Sequence, residues 1–281
     1  MSDELLGRIV AWADRQPDIR ALIMTGSRAR EDGSADELSD YDLEVFTTAQ
    51  ATYESDSGWI GELGKVWVCL QLPVREEDGY LMRLVVFEGG LKVDFGIAPV
   101  EVLADTVAGR QLNDLYERGY RVLLDKDGLA AQLVDPAYEG PLRLPPAEEE
   151  FWAAVEEFWF EAFHIPRLLQ RNDLWVVKLR DWTMKQRLLE MIEWHATATK
   201  GAQHDVWHIG KRMAEWTEPE VWRRLHSTFG HFDGADSLGA LHATVELYRD
   251  LATETAAAFG FVYPDELDRA VSGSFPPAAD G

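Results

Sequence analysis

The chain is short of cysteine, of basic residues and of long apolar runs, and each shortage closes off a class of protein. One cysteine, Cys69, in 281 residues leaves no intramolecular disulfide to form. That suits a reducing cytoplasm, and its place in the strand-like run 66–70 makes it a small packing residue rather than a nucleophile. Lys and Arg number 27 against 50 Asp and Glu, a formal net charge of -23. Nucleic-acid binders draw most of their affinity from basic surface, so no nucleic-acid partner is expected; the acidity favours a cationic partner and serves equally as a device for solubility. No run of about 18 uncharged apolar residues is present to span a membrane. The opening MSDELLGRIV carries acids where a secretory signal wants bases, so a cytoplasmic protein without a membrane partner is expected.

What is present is ample core-forming sequence, 46% hydrophobic, in a length that suits two domains better than one. The stretch 21–47 organises the rest. Residues 20–24 form a short apolar run that reads as a buried strand, and Thr25-Gly26-Ser27 stops it with turn-forming residues. Gly26 lets the main chain approach an anion, Ser27 adds a hydroxyl donor, and Arg28 offers a cationic fork suited to phosphate. About a dozen residues on, Ser39-Asp40-Tyr41-Asp42-Leu43-Glu44-Val45-Phe46 reads as a strand with acids at alternate positions. Residues i and i+2 of a strand share a face about 7 Å apart at Cα, so Asp40 and Asp42 can share a hard divalent cation while Leu43 and Val45 face the core. Glu44 continues that face and makes Asp42–Glu44 a second candidate pair, while spacing alone reads these acids as readily as the solvated face of an edge strand.

Before this stretch, residues 3–16 carry Leu5, Leu6, Ile9, Val10 and Ala13 at helical spacing, and Pro17 closes the helix. After it, the pattern predicts a helix and loop over 51–64 and strands over 65–71, 80–87 and 91–97, with Gly89-Gly90 as a hairpin turn. In the last strand Lys92, Asp94 and Gly96 share one face and Leu91, Val93, Phe95 and Ile97 the other, which makes Asp94 the third carboxylate. A helix over 99–109 and a short strand over 121–124 follow. The Pro- and Gly-rich segment 135–146 reads as a linker. Beyond it, 148–170, 173–199, 219–229 and 235–259 show helical periodicity with almost no strand-like alternation. The expected fold class is α+β: a mixed sheet with flanking helices over 1–138, then an all-helical domain over 147–281.

Strand, Gly-Ser turn, linker and Ser-Asp-x-Asp-Leu together resemble the signature of the nucleotidyltransferase superfamily, with its polymerase-β-like fold. Met24-Thr25-Gly26-Ser27-Arg28, Asp40-Tyr41-Asp42, Leu91-Lys92-Val93-Asp94-Phe95 and Glu157-Phe158-Trp159-Phe160 occur in the order and rough spacing of the aminoglycoside 6-adenylyltransferases. The resemblance covers nearly the whole chain. It implies an antibiotic-resistance enzyme that moves AMP from ATP to a hydroxyl of an aminoglycoside, streptomycin at its 6-hydroxyl above all, and releases pyrophosphate. It implies Mg²⁺ on Asp40, Asp42 and Asp94, nucleotide phosphates on Gly26, Ser27 and Arg28, and Asp94 as the base for the attacking hydroxyl. A different class of reading is a nucleotidyltransferase that modifies a protein acceptor, or a regulatory nucleotide-binding module.

For the helical domain the expectations are an acidic cleft of Glu157, Glu161 and Asp181 for guanidinium or ammonium groups, with Trp159 as a cation–π face. Trp159, with Trp152 and Phe158, is also of a kind more often found in a core than in a site. Arg167, Arg171 and Lys178 are the cations from which one reaches the triphosphate, with Arg167 and Lys178 placed at the nucleotide. His204 and His208 have the spacing of a helical metal pair, but no glutamate follows His204 and no third ligand is suggested, so HDVWH is read as ordinary polar sequence. Ser27 lacks a Gly-x-Ser-x-Gly context and is not read as a hydrolase nucleophile.

Overall fold

Strand β1 (Ile19–Thr25) alternates between two apolar clusters, Leu22 and Met24 entering one and Ala21 and Ile23 the other, so it is covered on both faces. The first cluster is closed by α1 (Ser2–Arg15), whose Leu5, Ile9, Trp12 and Ala13 recur at helical spacing and are all buried. Trp12 stacks on Trp59 at 4.6 Å between ring centroids. The computed structural model describes residues 2–30, 33, 35–75, 78–137, 145–206 and 208–277. Residues 138–144 of the expected linker lie outside these. The chain divides into two compact units, Met1–Tyr138 and Glu139–Gly281.

In the first unit β2 (Tyr41–Thr47), α2 (Gln50–Ser55), α3 (Ile60–Leu63), β3 (Val66–Val74), β4 (Leu81–Phe87), β5 (Leu91–Pro99), α4 (Val100–Gly109), α5 (Asp114–Glu117) and β6 (Arg121–Asp125) follow β1. The sheet has six strands in the order β3-β4-β5-β2-β1-β6. β2 and β5 run parallel at its middle, and the remaining neighbours pair antiparallel. With the helices, this mixed sheet makes the fold α+β. β3 is an edge strand, which is why Pro73, with no amide proton to donate, is tolerated in it. Cys69 on β3 is partly buried against the first cluster. Arg83 on β4 is 2% exposed, and its guanidinium donates to the carbonyls of Tyr53, Glu54, Leu72 and Met82 and to Ser57 Oγ. That one side chain ties β3 and the end of α2 to the sheet.

The second unit is helical: α6 (Glu148–Gln170), α7 (Leu174–Lys200), α8 (Met213–Trp216), α9 (Pro219–Leu225), α10 (Gly234–Phe259) and α11 (Asp265–Ser272). Asn172 adopts a left-handed φ of 58° and ends α6. Its N–H donates to Leu169 O and that of Asp173 to Leu168 O, the paired cap that lets the chain reverse into α7. α6, α7 and α10 bury one core, in which Phe158 stacks on Tyr248 at 3.6 Å. The helix expected over 219–229 stops at Leu225, where Thr228 Oγ1 and its N–H both cap the Leu225 carbonyl.

Candidate active site

Strand register builds the site. Thr25 on β1 pairs with Asp42 on β2, and Asp42 pairs with Asp94 on β5, so the last residue before the Gly26 turn and two of the acids lie in one row across three strands. Asp42, Glu44, Asp94 and Gly96 share the sheet face that carries the second apolar cluster, and the two aspartates sit where that cluster ends. Asp40 lies one step before β2. One ligand oxygen each from Asp40, Asp42 and Asp94 lie within 4.8 Å of one another. Three carboxylates so close repel unless cations neutralise them. Asp94 Oδ1 is buried with no hydrogen-bond partner, an orphan acceptor on a member of this cluster.

Gly26 abuts the same cluster. It has φ 69° and ψ -161°, a combination close to glycine-only, and leads into a single 3₁₀ turn over Ser27–Ala29. A Cβ placed on it would overlap the Asp42 carboxylate, 2.8 Å from Cγ. The bare glycine therefore lets the turn and the acid approach, a cradle that a side chain would fill. Arg28 holds the loop that carries Asp40: its Nε donates to Ser39 O at 2.8 Å and its guanidinium lies 4.4 Å over the Tyr41 ring.

Lys92 escaped the sequence reading as a participant, although its place two residues before Asp94 put it on the right face. Its ammonium donates to Asp40 Oδ2 at 2.6 Å and to Asp94 Oδ2 at 2.7 Å. Partial burial pulls this ammonium down, but the two carboxylate bonds outweigh it and hold Lys92 above its ordinary value. Glu44 is outside the cluster. It is buried and accepts hydrogen bonds at its Oε2 from the Tyr80 hydroxyl at 3.0 Å and the Tyr116 hydroxyl at 2.6 Å. Burial pushes its carboxyl above the usual range, although both phenols oppose the shift. The Asp42–Glu44 pairing is not the one the structure assembles.

In the helical unit, the expected residues are mostly engaged with one another or with the core. Trp159 is 0% exposed among core residues, so its ring offers no face to a dissolved cation; the core reading is the correct one. Glu161 accepts from Arg180 at 2.9 Å, and Asp181 from the buried ammonium of Lys185 at 2.6 Å. Arg167 donates to Phe163 O and lies on the Phe163 ring, and Lys178 donates to Gly230 O. Glu157, 3.4 Å from Arg187, lines a cavity of about 710 Å³ together with Glu150, Glu190 and Trp194. His204 Nε2 bonds to Trp216 O at 2.9 Å, while the His208 side chain lies outside the described residues. No helix among the described residues is long and apolar enough to cross a membrane.

A mixed sheet whose central parallel pair presents two aspartates in register beside a glycine turn, followed by a helical unit, is the make-up of a nucleotidyltransferase. The chain belongs to the streptomycin adenylyltransferase family, whose model matches residues 1–274. It is similar to the aminoglycoside 6-adenylyltransferase of Bacillus subtilis (strain 168), 24% identical over 269 residues that cover 93% of this chain and 92% of that one. The enzyme of the same name from Campylobacter jejuni is 23% identical over 267 residues, 93% of this chain and 90% of the other. Among solved structures, an aminoglycoside 6-adenyltransferase from Bacillus subtilis matches with 20% identity and a TM-score of 0.46, covering 97% of this chain and 95% of that one.

Proposed function

We propose that the protein transfers AMP from ATP to a hydroxyl of an aminoglycoside, foremost the 6-hydroxyl of streptomycin, using Mg²⁺ and releasing pyrophosphate. The observation that carries the reading is the meeting of three carboxylates with an orphan buried oxygen, Asp94 Oδ1, directly beside a turn held open by Gly26. An all-oxygen donor set of this charge fits a hard divalent ion. Bound there, Mg²⁺ would neutralise charge on the nucleotide phosphates. Asp40 and Asp42 would hold it together with Asp94, and the Gly26-Ser27 turn would seat phosphate oxygens.

The acceptor hydroxyl attacks the α-phosphorus, the bond from that phosphorus to the β-phosphate oxygen breaks, and the hydroxyl proton passes to Asp94. An alcohol is a poor nucleophile until a base takes its proton, and Asp94 is the acid whose second oxygen has no donor of its own. For the polycationic acceptor we assign Glu157 and the acids that line its cavity, which the acceptor would take over from Arg187. Of the helical cations, Lys178 must leave Gly230 O and Arg167 must leave Phe163 before either reaches a phosphate. Relatives that share the family bear the name aminoglycoside 6-adenylyltransferase, which supports the substrate class. Incubation with ATP, Mg²⁺ and a panel of aminoglycosides, followed by mass spectrometry, should show one added AMP on streptomycin. No modified antibiotic in the panel, or AMP on a co-purified protein instead, overturns the reading.

A further inference from the structure

Lys92 is the residue at this site that the proposed chemistry leaves without a role. It stands two positions before Asp94 on β5, so its stem rises on the face that carries the acids. The ammonium bridges Oδ2 of Asp40 and Oδ2 of Asp94. Its positive charge thus offsets part of the negative charge gathered here, while Asp94 Oδ1 stays without a hydrogen-bond partner. A divalent ion that takes up the same two carboxylates would lie within a few ångströms of this ammonium, and like charges at that distance repel strongly in a partly buried site. The two cations are therefore competitors. Nor is Lys92 locked in place: its side chain is 43% exposed, on a flexible four-carbon stem, and an ammonium with three donors serves phosphate oxygens as well as carboxylates.

Resting on the reading of the site as a metal–nucleotide centre, we infer that Lys92 is a displaceable counter-cation. In the nucleotide-free protein it holds Asp40 and Asp94 against free divalent ions, and when metal and nucleotide arrive together it moves from the carboxylates to the nucleotide phosphates. The ion is then admitted mainly in company with its nucleotide, and the cluster is not left as three bare carboxylates between turnovers. Lys92 in this account contacts first the carboxylates and then the nucleotide, and removing its charge shifts two affinities in opposite directions. A purely structural lysine has no reason to do that.

The test is calorimetric titration of the full chain with Mn²⁺ alone and, separately, with a non-hydrolysable ATP analogue in excess Mg²⁺. Lys92→Met should bind Mn²⁺ at least about tenfold more tightly than the unaltered protein and the analogue about tenfold more weakly. Lys92→Arg, which keeps the charge, should lie near the unaltered protein in both titrations. Mn²⁺ affinity in Lys92→Met that is unchanged or lower, or analogue affinity that is unchanged or higher, overturns the inference. Should Lys92→Met not fold without metal, Lys92→Gln is unfolded thermally in EDTA and in Mn²⁺. A larger Mn²⁺-induced rise in Tm than in the unaltered protein supports the inference, and an equal or smaller rise overturns it. AMP transfer by the unaltered protein is scored in parallel. Transfer with no opposed shifts removes only the role of Lys92, whereas absence of transfer removes the proposed function by itself.

Discussion

The sheet unit and the helical unit treat their charged residues differently. In the sheet unit, acids from distant parts of the chain converge: Asp40, Asp42 and Asp94 bring their oxygens within 4.8 Å and leave one buried oxygen without a donor. In the helical unit, acids are spent on local partners, Glu161 on Arg180, Asp181 on Lys185 and Asp268 on Arg249. Charges that pair off within a unit hold that unit together, while like charges gathered from separate elements are a mark of a ligand site. By this contrast we assign the first set to the proposed chemistry and the second to stability.

The largest test of the contrast is Asp42→Asn. It keeps size and removes one charge from the convergent cluster, so AMP transfer should fall by about a thousandfold or more with the thermal unfolding midpoint held or raised. Near-normal turnover would erase the distinction. Gly26→Ala comes next. The cheapest relief of the new methyl group is to swing the Asp42 carboxylate away, so transfer should drop about a hundredfold in steady-state assays, while the strained backbone costs about 1–3 kcal/mol in urea unfolding.

Asp181→Asn probes the other side of the comparison. The Lys185 side chain is 5% exposed, and burial already pulls its ammonium below the ordinary value against the opposing pull of Asp181. Stripped of that partner, the helical unit should lose about 3 kcal/mol in urea unfolding, with transfer at saturating substrates within about tenfold of normal. Loss of transfer without loss of stability would make Asp181 a binding acid after all. The smallest effect is expected at Glu44. Its carboxyl titrates higher folded than unfolded, so between those two values the folded state holds more protons, and its contribution to stability falls as pH rises out of the ordinary carboxylate range. The stability of Glu44→Gln relative to the unaltered protein should therefore grow from pH 4 towards neutrality. A flat difference in paired denaturation curves would show that burial does not perturb this group.

How much of this was legible in the sequence follows from the period of each element. A two-residue period alone assigns faces in β2 and β5, so the faces of Asp42 and Asp94 could be read from spacing, and Gly26 from the turn-forming run Thr25-Gly26-Ser27. It could not say that Glu44, of the same parity, would be roofed by Tyr80 and Tyr116, because that depends on where the segment before β4 and the short α5 pack. Lys92 was assigned its face correctly, but its two partners depend on register between β5 and the residue preceding β2. Helical periodicity marks a buried stripe without saying which neighbour covers it, so Trp159 read as core and as site at once. The short helices α5, α8 and α11 span too few residues for a period to stand out.

The parallel pairing of β2 with β5 also bears on how the protein comes into being. Asp40 and Lys92 are 52 residues apart along the chain, and two further strands, β3 and β4, intervene between β2 and β5. Contacts of such separation close late, because loop entropy is lost before the pairing returns anything. During synthesis, then, a nascent chain that has not yet released β5 carries Asp40 and Asp42 with neither their lysine nor their third acid. The candidate site is complete only once β5 has joined β2, and a chain stalled before β5, with the Gly26 turn and two acids but neither Lys92 nor Asp94, should bind a metal–nucleotide far more weakly than the full chain.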